Sequence, residues 1–452
     1  QTINRKVNLH QLYGLDCFFG DSMQSIYDEG IGEIISDEVE YIFKKQNRRN
    51  PLSVITLGNK LRSDGLKQEP SLDNNAPNMV NNKVVEGQAL FLYSQKDEES
   101  PYRNLEEAKQ KHELFSYWDF NHPETKELWL THNINAEKSG FKNLYMLYDK
   151  DPIKELISIL KDKTKDKGIS LDSNKTFNEL CLENIYLFDN RRRGNLYNNV
   201  QNDNCEFLNI VGNERWEEVS EQIINSDSLL SYKFDSLTNS YKAKSSRDLI
   251  LRQLDDLYEI MSLYEVNDIN SLLKKTSFNM TTLSSKSALA NKLAELNQLI
   301  YSNKNIEKVL KFSIDNSIVP LRERFRSFIN GRGFYLWNRI KELSFMEYKN
   351  SIEYQKASLP FATQHSIKGS EFDYVLVVLD NGNWNKYNFE NAILNRGTES
   401  VLNRTQKLLY VCITRAKKEL YVYMELDLDS DNGKSILKNA KDLFGNDFVI
   451  EI

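Results

Sequence analysis

Residues 363–379 read Thr-Gln-His-Ser-Ile-Lys-Gly-Ser-Glu-Phe-Asp-Tyr-Val-Leu-Val-Val-Leu, and residues 408–416 read Leu-Leu-Tyr-Val-Cys-Ile-Thr-Arg-Ala. In the first segment a polar loop carrying His365, Lys368 and Glu371 passes straight into an apolar run, the pattern of a buried strand fed by a loop. Gly369 permits a tight turn inside that loop. In the second, Leu408, Val411 and Thr414 keep helical spacing. That spacing sets Arg415 a little over one turn after Tyr410 and brings it out at the helix end. Such a layout, α/β in type, suits a phosphate-sensing loop on a buried sheet with an arginine in reserve.

At 452 residues the chain is longer than one ordinary domain. A hydrophobic content of 40% beside 27% charged residues is that of a globular chain rather than a disordered one. No apolar run reaches the roughly 18 residues needed to span a membrane, and no leader pattern opens the sequence. Cys17, Cys181, Cys205 and Cys412 are far apart and form no CxxC pair. Neither a zinc site nor a disulfide framework is expected, and a cytoplasmic setting is. The net charge of −6 argues against a surface that is basic throughout. It leaves nucleic acid open, because a binding groove needs only a local basic stripe. Lys44–Arg49, Arg191–Arg193 and Arg322–Arg326 are candidates, each reading first as a solvated face.

Along the chain, Leu15–Phe19 reads as a strand delivering the loop Gly20–Tyr27. Lys44–Pro51 is a basic connection stopped by Pro51, and residues 64–83, rich in Asn, Pro, Asp and Lys, form a surface loop. Leu90–Tyr93 and Leu128–Leu130 read as buried strands. Asp151-Pro152 opens a helix, with Asp as cap and Pro at its first position, and Gly168 can close it. Residues 205–350 are mainly helical. Ile250, Leu254, Leu257 and Met261 form one apolar stripe, and Leu289, Leu293, Leu296 and Ile300 another, as packing between helices requires. From residue 360 the pattern is strand, loop, strand, helix, strand, so the helical block is expected as an insertion within an α/β domain.

Four segments, in order, resemble motifs of superfamily 1 helicases of the UvrD/Rep/PcrA type. Gly20-Asp21-Ser22-Met23-Gln24-Ser25-Ile26-Tyr27 resembles motif III, GDxxQSIY. Asn47-Arg48-Arg49-Asn50 resembles motif IV, usually N-Y-R-S. Thr363 to Phe372 resembles motif V, T-x-H-x-x-K-G-x-E-F, and Asn403 to Ala416 resembles motif VI. The resemblance implies that Gln24 couples the γ-phosphate of ATP to DNA, that Arg49 reaches that phosphate, and that Arg415 acts on it as a finger. It places Glu371 at the nucleotide ribose beside Gly369, and Thr363 and His365 near the DNA backbone. Lys368, grouped with the DNA-contacting positions, serves either the loop or the phosphates. Arg48 stands where the family has an adenine-stacking tyrosine, and a guanidinium plane can stack on a base too. A fifth segment, Leu130-Thr131-His132-Asn133 with Gly140-Phe141, is closer in wording to helicases of bacterial defence islands, such as the helicase subunit of the Gabija system.

The resemblance implies a RecA-like domain 2A split by a helical insertion 2B and preceded by the tail of a first RecA-like domain 1A. The expected bounds are 1–45 for the 1A tail, 46–150 for the first part of 2A, 151–350 for 2B and 351–452 for the second part of 2A. Two parts of an ATP motor are missing: the cradle G-x-x-x-x-G-K-[ST] and an acid pair for magnesium. Gly433-Lys434-Ser435 is a decoy, since Leu428 stands where the first glycine belongs. In the family both lie upstream of motif III, so the chain is expected to be the C-terminal portion of a longer protein, with Mg2+ bound mostly by upstream ligands. After QSIY the family has R-W-R-G, whose tryptophan stacks on a base; here Asp28-Glu29-Gly30-Ile31 follows, and Trp384 or Tyr387 is the candidate replacement. The expected function is an ATP-dependent 3′→5′ translocase or helicase on single-stranded or duplex DNA, in repair, recombination or phage defence. The alternatives are a non-hydrolysing DNA-binding or scaffold module and a motor subunit working with a nuclease partner.

Overall fold

The computed structural model describes residues 7–8, 16–17, 20–26, 41–221, 224–232, 234–235, 240–241, 246–356, 358–364, 366–381 and 386–452. Tyr27, the Asp28–Ile31 segment, His365 and Trp384 lie outside them. Of the strand expected over 15–19, Asp16–Cys17 pairs antiparallel with Val7–Asn8, and the rest lies outside the described residues. The chain forms two compact units. One joins Gln1–Asn135 to Ala357–Ile452 and the other is Ala136–Lys356. The second unit begins at Ala136 and takes in the helix Lys142–Asp149.

The first unit is built on six strands: β1 (Gln88–Gln95), β2 (Thr125–Trp129), β3 (Phe361–Thr363), β4 (Phe372–Val378), β5 (Ala416–Leu426) and β6 (Val449–Glu451). Their order is β3-β2-β4-β5-β1-β6, and every neighbouring pair is parallel. Side chains alternate between two apolar layers, as a parallel sheet covered on both faces requires. Phe91, Leu128, Val375, Val377 and Val422 enter one layer. It also takes residues of α1 (Leu52–Leu61), α2 (Glu399–Ile413) and α3 (Asp431–Phe444). Leu92, Trp129, Leu376, Val378 and Tyr421 enter the other, under Leu105, Phe115 and Trp118.

Three local readings are corrected. Pro51 does not stop an element; it is the N-cap of α1, its φ of −66° being preset for a helix start. β2 begins at Thr125, and its polar Thr125, Lys126 and Glu127 are as buried as the residues that follow. The surface loop 64–83 contains a hairpin, Met79–Val80 with Lys83–Val84, turned by Asn81 and Asn82 at φ 52° and 62°.

The second unit is mainly helical among its described residues. Asp151 caps the helix Pro152–Asp166 through the Lys154 N–H at 3.0 Å. Both apolar stripes read from sequence are buried, on Leu249–Glu265 and Leu283–Tyr301. Within this core Arg247 and Asp255 are fully buried and paired at 2.5 Å. The Tyr348 hydroxyl donates to the same carboxylate.

Candidate functional site

The site lies at the amino-terminal edge of the sheet. Glu371 directly precedes β4 and Arg415 directly precedes β5, and the first residues of those strands, Phe372 and Ala416, are register partners. Helix α2 ends at Ile413 and the chain turns at once into β5. Arg415 was expected to project from that helix end. Instead it is folded in, with 1% of its surface exposed. Its Nε donates to the Val411 carbonyl at 2.9 Å, Nη1 to the Ser370 carbonyl at 3.1 Å and Nη2 to the Thr414 hydroxyl at 3.0 Å. Part of the physical reason is local, since the last carbonyls of a helix lack intrahelical donors and carry partial negative charge; the rest is tertiary, since the Ser370 carbonyl is brought from 45 residues away. Among the described residues no carboxylate bonds to this guanidinium, so its charge is dispersed over neutral acceptors. Burial, followed by the charge of nearby Arg49, pulls its pKa down to about 10.

Arg49 sits in a bend organised by Asn47, whose Oδ1 accepts from the N–H groups of Arg49 and Asn50 at 3.0 and 2.9 Å. The Arg49 guanidinium pairs with Glu371 at 2.5 Å, joining two nucleotide-facing candidates. Asn50, 2% exposed, donates to the carbonyls of both Thr414 and Ala416 at 3.0 and 2.7 Å. It therefore clamps the backbone on either side of Arg415. Gly87, just before β1, lets this arrangement close. Its φ is +62°, and an added Cβ would stand 2.4 Å from the Pro51 ring and 2.6 Å from the Lys418 carbonyl.

Lys368 belongs electrostatically with this cluster. Burial lowers its pKa, the charge of Arg415 lowers it further, and Asp21 opposes both. Gly369 beside it has φ +93°, the conformation expected of its turn. Gln24 ends a single 3-10 turn, Ser22–Gln24, capped by Asp21. Asp21 accepts from the Met23 N–H at 3.1 Å and from the Gln24 side-chain amide at 3.0 Å. The charge of Arg415 is thus felt by Lys368 and that of Arg49 by Arg415, with Glu371 and Asp21 as the opposing acids, and a polyanion such as a triphosphate relieves the repulsion among the cations.

The other candidates are placed differently. Arg48 is more than half exposed and paired with Asp73 at 2.7 Å, so its guanidinium is engaged. Thr363 is buried at the carboxyl end of β3, the end of the sheet opposite Arg415, and its hydroxyl accepts from the Ser366 N–H at 3.2 Å. His365 and Trp384 lie outside the described residues. Tyr387, offered as a base-stacking replacement, is instead 5% exposed and part of the apolar core. In the basic clusters, Arg193 pairs with Glu155 and Arg322 with Asp256.

The reading from sequence missed a polar group beside Gln24. Arg62, with only 2% of its side chain exposed, binds Asp21 at 3.0 Å and Asp64 at 2.5 Å. It also donates to the Tyr410 hydroxyl at 2.7 Å. Nothing local marks Arg62, because Asp21 and Tyr410 lie 41 and 348 residues away. A cavity of about 350 Å³ opens elsewhere, lined by Lys60, Leu61, Leu409, Asn439 and Leu443, and holds none of the candidates. Among the described residues no three His, Cys, Asp or Glu side chains are grouped to hold a metal, and no helix is long and apolar enough to cross a membrane.

The sequence matches the family described as UvrD-like helicase C-terminal domain over residues 78–426. It is also similar to Gabija protein GajB of Bacillus cereus (strain HuB5-5), at 25% identity over 454 aligned positions. That alignment takes in 95% of this chain and 55% of the relative, so the chain spans about half of the relative's length.

Proposed function

Because this chain belongs to the UvrD-like helicase C-terminal domain family, we propose that it is the γ-phosphate-sensing part of an ATP-dependent DNA translocase or helicase, moving 3′→5′ along single-stranded DNA in the cytoplasm. The observation that carries the reading is that the Arg49 bend, the loop before Glu371 and Arg415 are tied together at one edge of the sheet, by the Arg49–Glu371 pair, the bonds of Asn50 on either side of Arg415 and that of Arg415 to Ser370, with the Gln24 turn joined to α2 through Arg62. The P-loop and the acids for magnesium come from a segment outside these 452 residues. The sheet unit then corresponds to domain 2A with the tail of 1A, and the helical unit to the 2B insertion.

Arg49 and Arg415 hold the γ-phosphate, Gln24 orients the attacking water, and Glu371 takes the ribose next to Gly369. Arg49 is paired with Glu371 in this structure, so engagement of the ribose by Glu371 frees the guanidinium for phosphate. Arg48 faces the adenine on leaving Asp73, while Thr363 and His365 track the DNA backbone. Exchanging neutral acceptors for an oxyanion makes the buried Arg415 charge a source of transition-state stabilisation.

In the full-length protein Arg415→Ala is expected to abolish DNA-stimulated ATP hydrolysis, a loss on the order of 10³-fold or more. Unchanged hydrolysis would exclude the assignment. DNA binding without any ATP dependence would favour a scaffold module instead. The similarity to Gabija protein GajB along 95% of the chain supports a second, narrower reading, a motor subunit of a phage-defence assembly. That reading expects co-purification with a nuclease, and a motor isolated alone from its native host would remove it.

A further inference from the structure

We propose that Arg62 is a positioning residue that couples the Gln24 loop to the helix ending in Arg415. Its guanidinium spends every face on this link. Nη2 and Nη1 reach the two Asp21 oxygens at 3.0 and 3.5 Å, and Nε and Nη2 hold the two Asp64 oxygens. Nη1 donates to the Tyr410 hydroxyl, and the plane lies 5.1 Å from the Tyr410 ring centroid.

Each partner passes the constraint on. Asp21 holds the Gln24 side-chain amide and the Met23 N–H, while Asp64 accepts from the Ser22 hydroxyl at 2.6 Å, so both acids grip the Gln24 turn. Tyr410 lies on α2, and its carbonyl accepts the Thr414 hydroxyl at 2.9 Å; that hydroxyl in turn accepts Arg415 Nη2. An unbroken chain of hydrogen bonds therefore runs from Gln24 through Asp21, Arg62, Tyr410 and Thr414 to Arg415. The turn and α2 also pack directly on each other; Arg62 adds the side-chain hydrogen bonds that tie one to the other, and its burial keeps water from substituting for either side. Displacement of the loop displaces α2, so Gln24 and Arg415 move as one. The functional value of this link rests on the phosphate-facing reading of those two residues; the link itself does not.

Two variants of the full-length protein test it. Tyr410→Phe keeps the ring under the guanidinium and removes only the hydroxyl acceptor. Arg62→Lys keeps the charge but cannot hold two carboxylates and a hydroxyl together. Amide hydrogen exchange over Met23–Ile26 is expected to quicken by about tenfold or more in both, with β4 and β5 unchanged. The kcat of DNA-stimulated ATP hydrolysis is expected to fall by about tenfold while KM for ATP stays within about twofold. Wild-type exchange over Met23–Ile26 in both variants overturns the proposal. So does faster exchange in the sheet as well, which marks a plain structural role. Loosening confined to the loop, in a protein whose wild type shows no DNA-stimulated hydrolysis, leaves the coupling standing and removes the helicase reading instead.

Discussion

Asp64 shows how one side chain near the site makes stability depend on pH. Burial pushes its carboxyl upward, but Arg62, the Ser22 hydroxyl and the Leu66 N–H outweigh that and hold its pKa at about 2. A carboxyl depressed on folding contributes stability that is present above its unfolded pKa of about 4 and is lost as pH falls toward the folded value. Asp64→Asn is therefore expected to lower the urea midpoint near pH 5, with the gap to wild type closing as pH approaches 2. A gap that persists undiminished at pH 2 would show that charge is not what Asp64 supplies. Gly87 makes the complementary steric case. With a left-handed φ and no room beside Pro51 and Lys418, Gly87→Ala is expected to cost about 2–4 kcal/mol in urea unfolding. A loss under about 0.5 kcal/mol would mean that the backbone there yields easily.

Strand β2 and helix α1 show where single elements resist a reading from sequence. The apolar Leu128–Leu130 run was legible as strand, yet β2 starts three residues earlier with charged side chains that no periodicity marks as interior. They are buried because each finds a partner from elsewhere. Glu127 accepts from Lys109 and from the Trp129 indole N–H, both at 2.6 Å. Removing one member of such a buried pair leaves the other uncompensated. Glu127→Ala is expected to destabilise the sheet unit by about 3–5 kcal/mol, measured by urea denaturation; near-wild-type stability would show that Lys109 is satisfied by Glu106 alone. Helix α1 was missed because Pro51 reads equally as a stop and as a start. Only the core that takes Val54, Ile55 and Leu57 decides between them.

For the molecule as a whole, the division into a sheet unit and the unit Ala136–Lys356 has a direct consequence. The helical unit has its own buried stripes and its own internal ion pair between Arg247 and Asp255. Expressed alone, residues 136–356 are expected to fold with a helical circular dichroism spectrum and one cooperative urea transition, in the range of about 5–15 kcal/mol usual for a domain. A gradual, non-cooperative melt would mean that the helices depend on the sheet unit for their core.

The sequence by itself determined the element types where apolar periodicity is strong, and the loop-strand and helix-strand junctions that carry Glu371 and Arg415. These follow from spacing along a short stretch, which local sterics and burial translate directly into structure. Tertiary structure alone decided that Arg415 is folded in over its own helix end, that Asn50 clamps the backbone around it, that Tyr387 is core, and that Arg62 joins Asp21 to Tyr410. Each of these depends on residues tens to hundreds of positions apart meeting in a place without water. What a charged or polar side chain does there is set by its neighbours in space, which no local pattern encodes.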